Sequence, residues 1–97
     1  MNFEVPTFNN QEVLITGGLG FIGSNLAQQL VSLDAKVTIF DATKNILNVR
    51  EIIDKVHIEQ GDIRDSDKMR ELIKNKHYIF HFAGQINHLL SMENPFL

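Results

Sequence analysis

Ninety-seven residues fit one small domain, and 43% hydrophobic with 22% charged residues is a globular composition that excludes disordered, collagen-like and coiled-coil classes. Nine Lys and Arg against 12 Asp and Glu give a net charge of −3 with the basic residues scattered, so no nucleic acid partner is expected. There is no cysteine for a disulfide or thiolate metal site, no apolar run long enough to cross a membrane, and no apolar leader after Met1. A reducing, cytoplasmic setting is the expectation.

Residues 1–10 read as an irregular lead-in. Glu12-Val13-Leu14-Ile15-Thr16 is a first strand, apolar on both faces, followed at once by Gly17-Gly18-Leu19-Gly20. Ile22, Leu26, Leu30 and Leu33 then recur at helical spacing. Lys36–Phe40 is a second strand closed by Asp41. Ile46, Val49 and Ile53 suggest a short helical crossover before a third strand, Lys55–Glu59. Ser66 is positioned to cap a helix carrying Met69, Leu72 and Ile73, and Tyr78–Phe82 is a fourth strand broken by Ala83-Gly84.

Strands apolar on both faces, alternating with helices, predict an α/β fold: a Rossmann-type parallel sheet with helices on both faces. Right-handed crossovers give the strand order 3-2-1-4, half of a doubly wound fold. One such domain covers residues 1–97.

The glycine cluster carries the chemistry. Gly17, Gly20 and Gly23 are spaced by three, and Gly18, Gly20 and Gly23 also satisfy G-x-G-x-x-G. Such glycines permit a tight strand-to-helix turn, let backbone amides approach a pyrophosphate, and allow close helix packing. The helix start adds unpaired N–H donors and a positive dipole end. A purely structural turn is the bland alternative. A P-loop would need Lys then Ser or Thr after Gly23, where the chain has Ser24 and Asn25. Asp41, 18 residues after Gly23, ends the second strand, where a carboxylate accepts both adenosine ribose hydroxyls and repels a 2′-phosphate. NAD is therefore favoured over NADP, with Lys44 close enough to blur the preference; Asp41 can equally cap the turn that follows it.

Taken together, Thr16–Gly23, Asp41, Gly61-Asp62-Ile63-Arg64-Asp65 and His81-Phe82-Ala83-Gly84 resemble the extended short-chain dehydrogenase/reductases, specifically the NAD-dependent sugar-nucleotide epimerases and dehydratases. The resemblance runs from Glu12 to the last residue. It implies that amides around Leu19, Phe21 and Ile22 hold the pyrophosphate, and that Asp41 holds the adenosine ribose. It further implies that Asp62 accepts from the adenine amino group beside the Ile63 backbone, and that Phe82, Ala83 and Gly84 line the cofactor near the nicotinamide ribose. Ser91–Phe96 is similar to the helix start that follows. The full-length parent is then a homodimer acting on a nucleotide sugar by transient hydride transfer to NAD and a keto-sugar intermediate.

The sequence also departs from the family pattern. Ile86 stands where some epimerases carry lysine, and the stretch from Ala42 to Lys55 is short. By the resemblance the catalytic Ser or Thr, the Tyr-x-x-x-Lys pair and the sugar-nucleotide domain fall beyond Leu97, so a truncated domain, inactive by itself and prone to self-association, is expected. The single tyrosine, Tyr78, is followed four positions later by Phe82, and it reads as core. His77 and His81 lie four apart on a strand, roughly 13 Å and too far to share an ion. His81 reads as a satisfied structural histidine, His57 as a strand residue, and no metal site is expected. Asp62, Asp65 and Asp67 read as a solvated helix start. The competing reading is a non-catalytic NAD(H)-sensing or protein-interaction module.

Overall fold

The computed structural model describes residues 8–82. Four strands, β1 (Glu12–Thr16), β2 (Lys36–Asp41), β3 (Val56–Gln60) and β4 (Tyr78–His81), form one sheet in the order β3-β2-β1-β4. Every pairing is parallel, with Ile15 beside Ile39, Asp41 beside Gln60 and Thr16 beside His81. The connections are helix α1 (Phe21–Ser32), a 3₁₀ segment over Leu47–Lys55 kinked at Ile52, and helix α2 (Ser66–Ile73). This is the Rossmann-type order expected from the alternation of apolar runs.

Side-chain alternation along the two central strands divides the core between the two faces of the sheet. Val13 and Ile15 of β1, with Val37 and Ile39 of β2, pack against Leu19 of the glycine loop, Ala27 and Leu30 of α1, and Val49 and Ile52 of the 3₁₀ segment. Leu14 and Phe40 point to the opposite face and meet Leu72 of α2, flanked by Ile63 and Met69. Helices therefore cover both faces. The outer strands β3 and β4 are only partly covered, unlike the fully apolar-buried strands expected, because among the described residues each has a neighbour on one side alone.

Several elements differ from the sequence reading in instructive ways. The buried stripe of α1 is Gly23, Ser24, Ala27 and Leu30, with Leu26 half-buried, while Ile22 and Leu33 are 63% and 51% exposed. Small residues on that stripe let the helix lie close to the sheet, and closeness outweighs the larger apolar side chains beside it. In the 3₁₀ segment Ile52 is buried and Ile53 exposed, because the tighter winding shifts the inward face by one residue. The cap of α2 is Asp65, whose Oδ1 accepts from the Lys68 amide at 3.1 Å; Ser66 is the first helical residue. Ile73 is exposed, and so is Tyr78, whose ring packs at 4.9 Å from that of Phe8 at the sheet edge rather than in the core. β3 begins one residue later than expected, and β4 ends at His81.

Helix α1 closes with Asp34 at φ 66°, the Asp34 amide donating to Val31 O at 2.9 Å and the Ala35 amide to Leu30 O at 3.0 Å. That is a Schellman ending with aspartate in the place usually held by glycine. Among the described residues no helix is long and apolar enough to cross a membrane.

Phe40 ties the lower face to the sheet edge. It is fully buried, and its ring lies where a Cβ on Gly61 would stand, 2.6 Å from Cζ. Phe40→Ala is expected to lower unfolding free energy by about 3–5 kcal/mol in urea titration, and a loss under about 1 kcal/mol would contradict this packing.

Candidate functional site

Parallel strands place all their carboxyl ends on one edge, and hydrogen bonds stitch the successive strand ends together there. The Gly17 amide donates to Phe40 O at 2.7 Å, the Gly61 amide to Asp41 O at 3.0 Å, and the Phe82 amide to Thr16 O at 2.7 Å. Gly17, Asp41, Gly61-Asp62 and Phe82 thus line one continuous rim. Ligands of open α/β sheets bind at such a rim.

Each glycine of the loop answers to a different constraint. Gly17 has φ 77°, a left-handed conformation that side chains rarely adopt. A Cβ at Gly18 would press on Ile39 at 2.7 Å, and one at Gly23 would stand 2.5 Å from Gly17 O. Gly20 is different: its backbone is ordinary extended chain (φ −74°, ψ 178°), it is exposed, and a Cβ there meets only Gly17 O at 3.5 Å. Among the described residues nothing requires glycine at position 20. The space that a side chain would fill lies immediately ahead of the first turn of α1.

That first turn has no side chain closing it. Helix α1 starts with no side-chain cap and no acidic residue in its opening turn. The amides of Phe21 and Ile22 are therefore the orphan donors of a helix start, at the positive end of the helix dipole. The two side chains point outward, 77% and 63% exposed, and form an apolar margin. The Leu19 amide, grouped with these by the sequence resemblance, has another partner: it donates to Asp41 Oδ2 at 3.0 Å.

Asp41 Oδ1 accepts from the Thr43 amide at 3.1 Å, so this carboxylate both ties the glycine loop to β2 and closes the next turn. Each oxygen holds one backbone donor, which leaves lone pairs on both for further acceptance. Asn48 adds a link that sequence reading missed. Its Nδ2 donates to Leu19 O at 3.1 Å, and its own carbonyl accepts from Gln28 Nε2 at 2.9 Å, fastening the 3₁₀ segment to the loop and to α1. Its only sequence signal is an asparagine seven residues after Asp41.

Asp62 and Ile63 begin the turn from β3 into α2. Asp62 is gripped by Arg64, whose amide, Nε and Nη2 all donate to its carboxylate. The hydrogen-bonded guanidinium holds the Asp62 carboxyl down to about 2, and Asp62 raises the Arg64 pKa in turn. Lys68 of α2 bonds Glu59 of β3, and His57 reaches the same carboxylate at 2.9 Å. Lys68 first, then His57, lower the Glu59 pKa, and Glu59 raises that of Lys68. This pairing fixes α2 to the strand that delivers Asp62.

On β4, His81 Nδ1 shares a 2.5 Å hydrogen bond with the buried Thr16 hydroxyl, a structural partnership under the loop. His77 Nδ1 accepts from the Glu12 amide at 2.8 Å at the opposite end of the strand. Among the described residues no three His, Asp or Glu side chains are grouped to hold a metal ion. Ala83, Gly84, Ile86, His88 and Ser91–Phe96 lie outside the described residues.

The Asp62–Arg64 pair has a pH signature. A folded pKa below the unfolded value contributes stability that is present above the unfolded pKa and lost as pH falls through the folded one. Here the window runs from 3.8 down to about 2. Carboxyl-detected NMR titration of Asp62 is expected to give a midpoint near 2, moving toward 3.8 in Arg64→Ala; a wild-type midpoint at 3.8 would show the pair absent in solution.

Comparison with known proteins places this rim in a family. Residues 14–97 match the model of the GDP-mannose 4,6 dehydratase family. A bifunctional UDP-glucose 4-epimerase and UDP-xylose 4-epimerase of Arabidopsis thaliana is 35% identical over 86 residues, covering 76% of this chain and 24% of that protein. Among solved structures, an epimerase of Methanothermobacter thermautotrophicus superposes with a TM-score of 0.71 at 33% identity, over 78% of this chain and 23% of its own. A dTDP-glucose 4,6-dehydratase of Bacillus anthracis, solved in complex with NAD, gives 0.67 at 32% identity, over 75% and 26%. The chain spans about a quarter of the length of these relatives. With the family model matched over most of its length and a Rossmann sheet shared with these neighbours, the chain belongs to the GDP-mannose 4,6-dehydratase family, among the epimerases and dehydratases of the extended short-chain dehydrogenase/reductase type.

Proposed function

We propose that this chain is the NAD-binding part of a sugar-nucleotide epimerase or dehydratase. The observation that carries the reading is Gly20, a glycine that the fold itself does not need, set before an uncapped helix start. A pyrophosphate in that space takes hydrogen bonds from the Phe21 and Ile22 amides and the favourable end of the α1 dipole. The remaining capacity of Asp41 serves the two adenosine ribose hydroxyls, and its charge disfavours a 2′-phosphate, so NAD is preferred to NADP. Asp62 and Ile63 receive the adenine, and Phe82, Ala83 and Gly84 the nicotinamide ribose. The dTDP-glucose 4,6-dehydratase relative solved with NAD supports a cofactor of the NAD type.

Bound NAD supplies a hydride acceptor and donor, which suits a sugar whose hydroxyl carbon is oxidised and later reduced. Residues of this chain hold and orient; they do not supply the proton transfer. Tyr78 packs on Phe8, and Phe82 stands where a partner lysine is needed. In this reading the 97 residues bind the cofactor without turning over a nucleotide sugar.

Paired substitutions separate binding from folding. Gly20→Val places its side chain in the pyrophosphate space while clearing the protein, so it should weaken NAD binding at least tenfold in calorimetry, as roughly one lost charged hydrogen bond does, with little change in unfolding midpoint. Gly23→Ala should instead lower stability by about 1–3 kcal/mol, because its Cβ meets the Gly17 carbonyl. Undiminished NAD affinity in folded Gly20→Val would contradict the assignment.

A further inference from the structure

The two carboxylates on the rim differ in what they have left to offer. Asp41 holds one backbone donor on each oxygen. Asp62 is engaged on both oxygens by a single neighbour. The Arg64 amide donates to Oδ1 at 2.8 Å, Nη2 donates to Oδ2 at 2.7 Å, and Nε is shared between the two oxygens at 3.1 Å. A carboxylate has about four lone-pair positions, and each oxygen here faces two donors. Three N–H groups supply these contacts, Nε–H being shared, so an arriving amino group meets an Arg64 donor at either oxygen.

We propose that Arg64 is a resident competitor at the adenine subsite, so that the base enters by exchange, its 6-amino group displacing an Arg64 N–H from Asp62. This rests on the assignment of Asp62 to adenine. Oδ2 is the oxygen that yields, because Oδ1 is also tied by the Arg64 backbone amide within a turn closed by Asp65 N to Asp62 O at 2.9 Å. The exchange is feasible because the pair stands in solvent, Arg64 at 87% and Asp62 at 50% side-chain exposure, where an ion pair is weak. It also has a consequence for specificity. The amino group replaces a charged donor with a neutral one, so the gain from recognising it is muted, and discrimination between 6-amino and 6-oxo purines is small while Arg64 is present.

Losing Arg64 does not lose the acceptor. Without the guanidinium the Asp62 carboxyl returns toward its ordinary value of 3.8, still ionised at neutral pH. An arginine that merely oriented Asp62 would act in the opposite direction, its removal lowering discrimination rather than raising it.

The test uses the full chain and two dinucleotides, NAD and its analogue carrying hypoxanthine in place of adenine. Binding of each is measured by calorimetry to wild type, Arg64→Met, Arg64→Lys and Asp62→Ala. The preference for NAD should be small in wild type, rise roughly tenfold in Arg64→Met, be intermediate in Arg64→Lys, and vanish in Asp62→Ala. Unchanged or reduced preference in both Arg64 variants, with Asp62→Ala still abolishing it, would overturn the competition and leave the Asp62 assignment standing. A preference that survives Asp62→Ala while NAD still binds would instead overturn that assignment.

Discussion

A Cβ at position 23 would stand 2.5 Å from the carbonyl oxygen of Gly17 and 2.8 Å from the Cα of Gly18. Contact this close between a helix and the turn that precedes it is available only to glycine, and it fixes the distance and angle at which α1 leaves β1. Gly17 makes the turn possible with a positive φ, and its amide is anchored to Phe40 O on the neighbouring strand. From that constraint follow the small-residue stripe of α1, the burial of Leu19, and the opening of the helix directly over the carboxyl edge of the sheet.

The rim then distributes charge in a way suited to a dinucleotide. The centre carries an uncapped helix start with no carboxylate in its first turn; the flank carries Asp41 and Asp62 at the ends of adjacent strands. In the function proposed above, a pyrophosphate takes the former and hydroxyl or amino donors the latter. Loop and flank are mechanically joined, since Asp41 accepts from the Leu19 amide while Asn48 donates to the Leu19 carbonyl. Leu19 is thereby held at both its amide and its carbonyl. A substitution at Asp41 or Asn48 would disturb the glycine loop as well as its own contacts.

Sheet order, and strand boundaries to within one residue, were legible because apolar runs on both faces, separated by helical periodicity, allow few arrangements. What sequence could not show lay where geometry turns on neighbours. Ile22 and Leu33 have the right spacing for a buried stripe, yet Gly23 and Ala27, offset by one position, make the contact because only small side chains fit there. Ser66 and Asp65 are both good caps, and the choice between them depends on which residue takes the extended conformation before α2. Tyr78 heads an apolar strand, but that strand is at the sheet edge, a fact of topology. In the site, spacing identified the glycines without separating their duties; only the space around each shows that Gly17, Gly18 and Gly23 serve the fold and Gly20 does not. The pairing of the Leu19 amide with Asp41 crosses two strands and left no local trace.

The central claim is that the first turn of α1 is a pyrophosphate site. It is tested most directly by following backbone amides in ¹⁵N–¹H NMR while NAD is added to the full chain. The account predicts saturable downfield shifts largest at Phe21 and Ile22, with smaller responses at Asp41 and Asp62, and the same Phe21 and Ile22 shifts with ADP. Binding that moved residues elsewhere and left the Phe21 and Ile22 amides unshifted would contradict it.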